Sequence, residues 1–143
     1  MTSHPPFKLT HLDHVVLRVS DMARALGFYC GVLGCVEERR VAQFGLVQLR
    51  AGGSLIDLVD IALPLGQMGG RAPEAEGRNM DHFAICITPF DADALRAHLA
   101  THGIAHGAIE QRYGAEGVGP SIYINDPDGN VIELKGNLIR DSI

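Results

Sequence analysis

The chain has 143 residues, 46% of them hydrophobic, with 12 Lys+Arg against 17 Asp+Glu and a net charge of −5. That length suits one domain, which at this size buries roughly 68–70% of its chain surface and builds a core without disulfides or a structural metal. The acidic balance and the presence of only two lysines, Lys8 and Lys135, argue against broad nucleic-acid binding. No apolar run approaches the roughly 18–20 residues of a membrane helix. The opening MTSHPPFKLT lacks the apolar centre of a signal peptide, so a cytoplasmic protein is expected.

In chain order, Leu12-Asp13-His14 leads into the apolar run Val15 to Val19, a strand. Ser20-Asp21 then caps an alanine-containing helix from Met22 to Leu33, ended by Gly34. The basic pair Arg39-Arg40 follows Glu37-Glu38, so its charge is cancelled locally and it reads as a solvated surface strand. Leu46 to Leu49 and Leu55 to Leu58 form a hairpin about Gly53. Residues 62–79 are rich in Gly and Pro, without periodicity, and read as a linker that can cover a site.

The pattern then repeats. Met80-Asp81-His82 leads into Phe83 to Ile87, and Thr88-Pro89 is expected to cap a helix carrying Leu95 and Leu99 and ending at Gly103. A second hairpin joins Ser121 to Ile124 with Val131 to Leu134 about Gly129, and the extra length of this half is placed in a loop from Tyr113 to Pro120. Each half is therefore strand, helix, then three strands, an α+β arrangement within one domain at 8–137, with modules at about 10–61 and 80–137. Cys30, Cys35 and Cys86 are odd in number, show no CxxC spacing and sit among apolar neighbours, so they read as reduced, mostly buried thiols.

Alternate residues of a strand share a face. His14, Val16 and Arg18 share one face and the apolar Val15, Leu17 and Val19 the other; His82, Ala84 and Cys86 are set against Phe83, Ile85 and Ile87 in the same way. Asp57 and Glu133 each interrupt an apolar strand at matching points. Burying such groups is costly unless they have partners, and here the cost recurs twice. If the sheets face a common cavity, His14, Asp57, His82 and Glu133 supply two nitrogens and two oxygens for a divalent Mn, Fe, Co, Ni or Zn, leaving positions for substrate oxygens. His98 and His102 have i,i+4 spacing but lie on a short surface helix and read as solvated or helix-end groups.

LDHVVLRVSDMARALGFYCGVLG (12–34), MDHFAICI (80–87) and SIYINDPDGNVIELKG (121–136) resemble the vicinal oxygen chelate superfamily, the glyoxalase, bleomycin-resistance and dioxygenase proteins. The resemblance implies two paired βαβββ modules forming an open, cup-like mixed sheet around a metal, commonly in a homodimer whose sites draw on both chains. It places the glyoxalase I metal set on His14, Asp57, His82 and Glu133, with Asp where that enzyme usually has Glu. Arg18 matches an arginine that contacts glutathione there, while Ile61 stands where a glutathione-contacting Asn is expected. The expected function is a metal-dependent isomerase or lyase of the glyoxalase type acting on a small substrate with vicinal oxygens through an enediolate. Glu133 would be the base, Arg18 would hold an anionic substrate group or pair with an acid at the rim, and glutathione or another thiol is a candidate cosubstrate. The rivals are an extradiol-type dioxygenase using His14, His82 and Glu133, a fosfomycin-type thiol transfer or epoxide opening, and a metal-free binding protein of the bleomycin-sequestering kind.

Overall fold

The computed structural model describes residues 5–136. Its first half runs β1 (His14–Val19), α1 (Met22–Leu26), β2 (Val36–Val41), β3 (Leu46–Ala51) and β4 (Ser54–Asp60). A short helix, α2 (Pro64–Gln67), lies in the connection, and the second half follows as β5 (Phe83–Ile87), α3 (Ala92–Thr101), β6 (Glu110–Gly114), β7 (Gly117–Asn125) and β8 (Val131–Gly136). The sheets have the same topology, β1-β4-β3-β2 and β5-β8-β7-β6. In each, the first strand pairs in parallel with the last and the other pairings are antiparallel. This is the α+β architecture of two βαβββ units read from the sequence.

Local chemistry explains the elements. The Asp21 carboxylate accepts from the Arg24 N–H and so opens α1, whose helix continues through a wider π-helical turn at Gly27–Val32 before Gly34, at φ 81°, turns the chain. In the second half the cap is Asp91, which accepts from Ala94 N–H; Thr88 and Pro89 lie ahead of the helix, so the expected capping by Thr88 is displaced by three residues. The expected loop at 113–120 is instead the close of the β6–β7 hairpin, with Gly114 opposite Gly117. The count of three strands per half implied this strand, but its place was hidden because its alternation is polar: Glu110-Gln111-Arg112 presents no apolar face.

The apolar faces meet in one core cluster that includes Leu17, Val19, Phe28, Tyr29, Leu58, Leu99, Ile122 and Leu134. Polar contacts pin the halves together. The buried Tyr29 hydroxyl donates to Asp126 Oδ2 at 2.6 Å, and Asp126 also accepts from the N–H groups of Asp128 and Asn130 and from the Asn130 side chain. Ser20 donates to Asp128, and His98 Nε2 lies 2.7 Å from the Val32 carbonyl. His98 therefore ties α3 to the end of the first helix, and its ring also stacks edge-on to His102. Of the cysteines, Cys35 is buried, Cys30 half-buried and Cys86 exposed, so the expectation of buried thiols fails for Cys86, which lies on an edge strand and lines the groove between the halves. No helix among the described residues is long and apolar enough to cross a membrane.

Candidate metal centre

Register places the candidate groups. Val16 lies level with Asp57, and Gln48 lies on the other side of Asp57, so β1, β4 and β3 present one row of side chains. In the second sheet Ala84, Glu133 and Tyr123 form the equivalent row. His14 and His82 each precede their row by two residues, on the same face. The carboxylates are buried, Asp57 at 4% and Glu133 at 6% exposure, whereas the histidines stand at the open edge.

Each histidine is oriented by the aspartate before it. His14 Nδ1 lies 2.7 Å from Asp13 Oδ1, and His82 Nδ1 lies 2.7 Å from Asp81 Oδ2. A carboxylate accepts only, so it holds the proton on Nδ1 and leaves Nε2 as the free donor of an electron pair. Nε2 of His14 lies 4.0 Å from Asp57 Oδ2, and Nε2 of His82 lies 3.2 Å from Glu133 Oε1. The hydrogen bond to Asp13 raises the His14 imidazole above its ordinary value. Asp57 Oδ2 accepts from Gln48 Nε2 at 3.1 Å, while Asp57 Oδ1 is buried without any hydrogen-bond partner. A carboxylate with one buried, unpartnered oxygen and its other oxygen toward an imidazole lone pair is a donor set that fits a divalent cation.

The four groups come together as two pairs. Among the described residues no three His, Cys, Asp or Glu side chains are close enough to hold a metal within one chain. One chain by itself therefore does not gather all four around a common point. A groove of about 630 Å³ between the halves has both His14 and His82 in its lining, with neither Asp57 nor Glu133. Its outer walls include Leu12 and Met80, and Leu12 is 81% exposed.

Arg18 does something the sequence did not suggest. Its guanidinium donates to the carbonyls of Gly66, Gly70 and Arg71, strapping the linker to β1, and Gly69 passes so close that a Cβ there would lie 2.3 Å from Arg18 Nε. Three of its five N–H donors are thereby engaged. The linker is thus held over one side of a cavity of about 620 Å³ that Arg18 and Arg78 both line.

A model of the Glyoxalase/Bleomycin resistance protein/Dioxygenase superfamily matches residues 11–134. The chain belongs to this superfamily. It is 30% identical over 93% of its length to the catechol-2,3-dioxygenase of Bacillus subtilis, of which it spans 44%, and 35% identical over 86% to glyoxalase domain-containing protein RDO1 of Mycosarcoma maydis, of which it spans 66%. With the virulence protein STM3117 of Salmonella typhimurium it shares 30% identity over 88% of the chain and 83% of that protein. The crystal structure of STM3117 superposes with a TM-score of 0.71 over 92% of this chain and all of that one. A fosfomycin resistance protein, FosX of Listeria monocytogenes, shares the fold at 19% identity and a TM-score of 0.67. The superfamily resemblance read from the sequence is thereby borne out.

Within this superfamily fold, three residues beside the site escaped the sequence reading. Gln48 orients Asp57. Tyr123 stands opposite Glu133 and edge-on to the His82 ring at 5.2 Å; partial burial and the Glu133 charge push its phenol up from the ordinary value. Arg39 donates to Gln48 Oε1 at 3.0 Å. Gln48 and Tyr123 could have been found by counting back across the Gly52-Gly53 and Asp126-to-Gly129 turns from each carboxylate.

Proposed function

We propose that this protein is a metal-dependent enzyme of the glyoxalase type, an isomerase or lyase acting on a small substrate with vicinal oxygens. The observation that carries the reading is the doubled Asp–His–carboxylate unit: Asp13–His14–Asp57 in one half and Asp81–His82–Glu133 in the other. The residues that would hold the metal are His14, Asp57, His82 and Glu133. A divalent ion bound there polarises vicinal oxygens and stabilises the negative charge that develops when a neighbouring C–H is ionised. Asp13 and Asp81 hold the Nδ1 side of each ring and aim Nε2 at the site. Glu133, on the longer of the two acidic side chains, takes the proton from carbon and returns it to the adjacent position. Tyr123, beside Glu133, donates from its phenol to the carboxylate or to a substrate oxygen. Asp57, held by Gln48, stays a ligand. A second carboxylate in the donor set, Asp57, favours proton transfer over dioxygenase chemistry, for which two histidines and one acid suffice. A thiol such as glutathione remains a candidate cosubstrate, and Arg18 retains two N–H groups for an anionic portion of it.

Because one chain offers the ligands in pairs, the complete set belongs to a homodimer in which His14 and Asp57 of one chain meet His82 and Glu133 of the other. The first strand of each sheet, β1 and β5, has a free edge, and Leu12 and Val16 stand exposed beside His14.

Calorimetric titration with zinc, nickel, cobalt, manganese and iron(II) tests the site. His14→Ala, His82→Ala and Glu133→Ala each weaken binding strongly and His98→Ala does not; equal affinity throughout overturns the centre. Sedimentation showing a concentration-independent monomer at full metal occupancy overturns the shared site. Turnover is then sought with a 2-oxoaldehyde plus glutathione, with catechols and with fosfomycin. Solvent deuterium entering the substrate carbon supports proton transfer, whereas oxygen consumption without exchange moves the assignment to a dioxygenase, the activity named for the Bacillus subtilis relative.

A further inference from the structure

The strand that flanks the first carboxylate row carries an irregularity with chemical consequences. β2 and β3 pair regularly at Val36 with Arg50 and Glu37 with Leu49, then the ladder slips, so that Arg39 rather than Glu38 lies across from Gln48. Glu38 is the extra residue of a β-bulge, a device that re-aims a side chain. A regular ladder would have put the Glu38 carboxylate across from Gln48, next to Asp57. The bulge puts a guanidinium there instead and extends the row to Val16, Asp57, Gln48 and Arg39.

Charge pairing leaves that guanidinium uncompensated. Glu37 is taken by Arg40 at 2.6 Å, and Glu38 by Arg50 through two contacts of 2.9 and 3.0 Å. Among the described residues no carboxylate lies within 4 Å of Arg39, and its side-chain partner is the neutral Oε1 of Gln48. The second half answers differently. The arginine that reaches its row, Arg112, stands across from Gly119 rather than Tyr123; it is neutralised by Glu110 at 2.8 Å, bound to Ser121, and laid over the Tyr123 ring at 4.5 Å. Arg39 is therefore the free cation of the two rows, and Gln48 ties it to Asp57 through one amide that accepts from Arg39 and donates to Asp57.

We infer that Arg39 is a specificity-determining residue that binds a negatively charged group of the substrate, a carboxylate or phosphonate, through its planar fork of donors. The inference rests on the metal-site reading above, and it fixes a substrate class that reading leaves open. Two strand spacings separate β4 from β2, so the anionic group sits roughly 10 Å from the oxygens that meet Asp57 and His14, the length of a short chain or one ring.

The test uses two hydroxamates on the zinc-loaded protein: uncharged acetohydroxamic acid, and the monohydroxamate of adipic acid, which adds a carboxylate on a four-carbon arm. The wild type is expected to bind the carboxylated probe about tenfold more tightly or better, the size of one charge-assisted hydrogen bond. Arg39→Gln abolishes the preference while leaving zinc and acetohydroxamate affinities unchanged, and Arg39→Lys restores part of it. An undiminished preference in Arg39→Gln, or none in the wild type, overturns the inference. Should the protein take up no metal, the parent reading fails, and Arg39 is then followed by its own Nε–H NMR signal, assigned by its absence in Arg39→Gln. A saturable shift of that signal with succinate on the metal-free protein supports the anion site, and no shift removes it.

Discussion

The two halves share topology, caps and the Asp–His–carboxylate unit, yet they surround their acids differently. Asp57 is flanked by Gln48, a neutral amide, and keeps one oxygen unpartnered. Glu133 is flanked by Tyr123, a phenol backed by a neutralised arginine. The first environment suits an acid that only ligates and leaves an open cation nearby; the second suits an acid that moves a proton beside a hydroxyl. A duplicated scaffold can thus separate positioning from chemistry by changing one residue on the neighbouring strand.

The largest test of that contrast is the pair Glu133→Gln and Asp57→Asn. If the labour is divided as argued, Glu133→Gln lowers turnover by about 10²–10⁴-fold, the usual loss of a general base, and Asp57→Asn lowers it far less. Equal losses, measured as kcat on whichever substrate is turned over, would mean that both acids share the proton. Next in size, Asp13→Asn and Asp81→Asn should each weaken metal binding about tenfold by calorimetry, the lower end for groups that orient a ligand and are themselves exposed. A loss confined to one of them would break the symmetry of the two units.

Removing the tie between the halves should cost less. Tyr29→Phe deletes a buried hydrogen bond to an Asp126 that keeps its other donors, so urea unfolding should show a loss of about 1–2 kcal/mol with the m-value unchanged. A fall in m would mean that the halves come apart separately. Smallest is the pair on β2. Its Arg40 holds the Glu37 carboxyl below the ordinary value, so that pair supports the fold above the unfolded value and is lost as pH falls through the folded one. Arg40→Ala should return Glu37 to its usual range in an NMR titration and hardly change stability, since both groups are exposed.

Much of this was legible beforehand because the repeat is written in residues whose burial needs a reason. Asp57 and Glu133 stood out as acids inside apolar strands, and His14 and His82 as imidazoles at equivalent starts. The place of the hairpin β6–β7 was not legible, since its polar alternation gives no burial signal, and neither was Arg39. Local charge counting set Arg39 and Arg40 against Glu37 and Glu38, whereas the bulge distributes those partners across two faces and gives Glu38 to Arg50. Arg18 was read from its strand face and from the resemblance, as a holder of an anionic group or a rim partner of an acid, but its long side chain reaches the linker carbonyls, a tertiary contact that no periodicity encodes.

The chain has only two lysines, and the structure makes them unequal. Lys8 is exposed, whereas Lys135 is 5% exposed, with Nζ donating to the Gly117 carbonyl and its stem passing so near Gly114 that a Cβ there would lie 2.7 Å from Cε. Of these two ammonium groups, only Lys8 is open to reagents in the folded protein. Amine-directed tethering or dye attachment through lysine consequently marks the N-terminal approach to β1 and leaves the sheet bearing Glu133 unmodified. Labelling of Lys135 reports that the β6–β7 hairpin has lifted, which makes acylation at that position a clock for local opening of the second half.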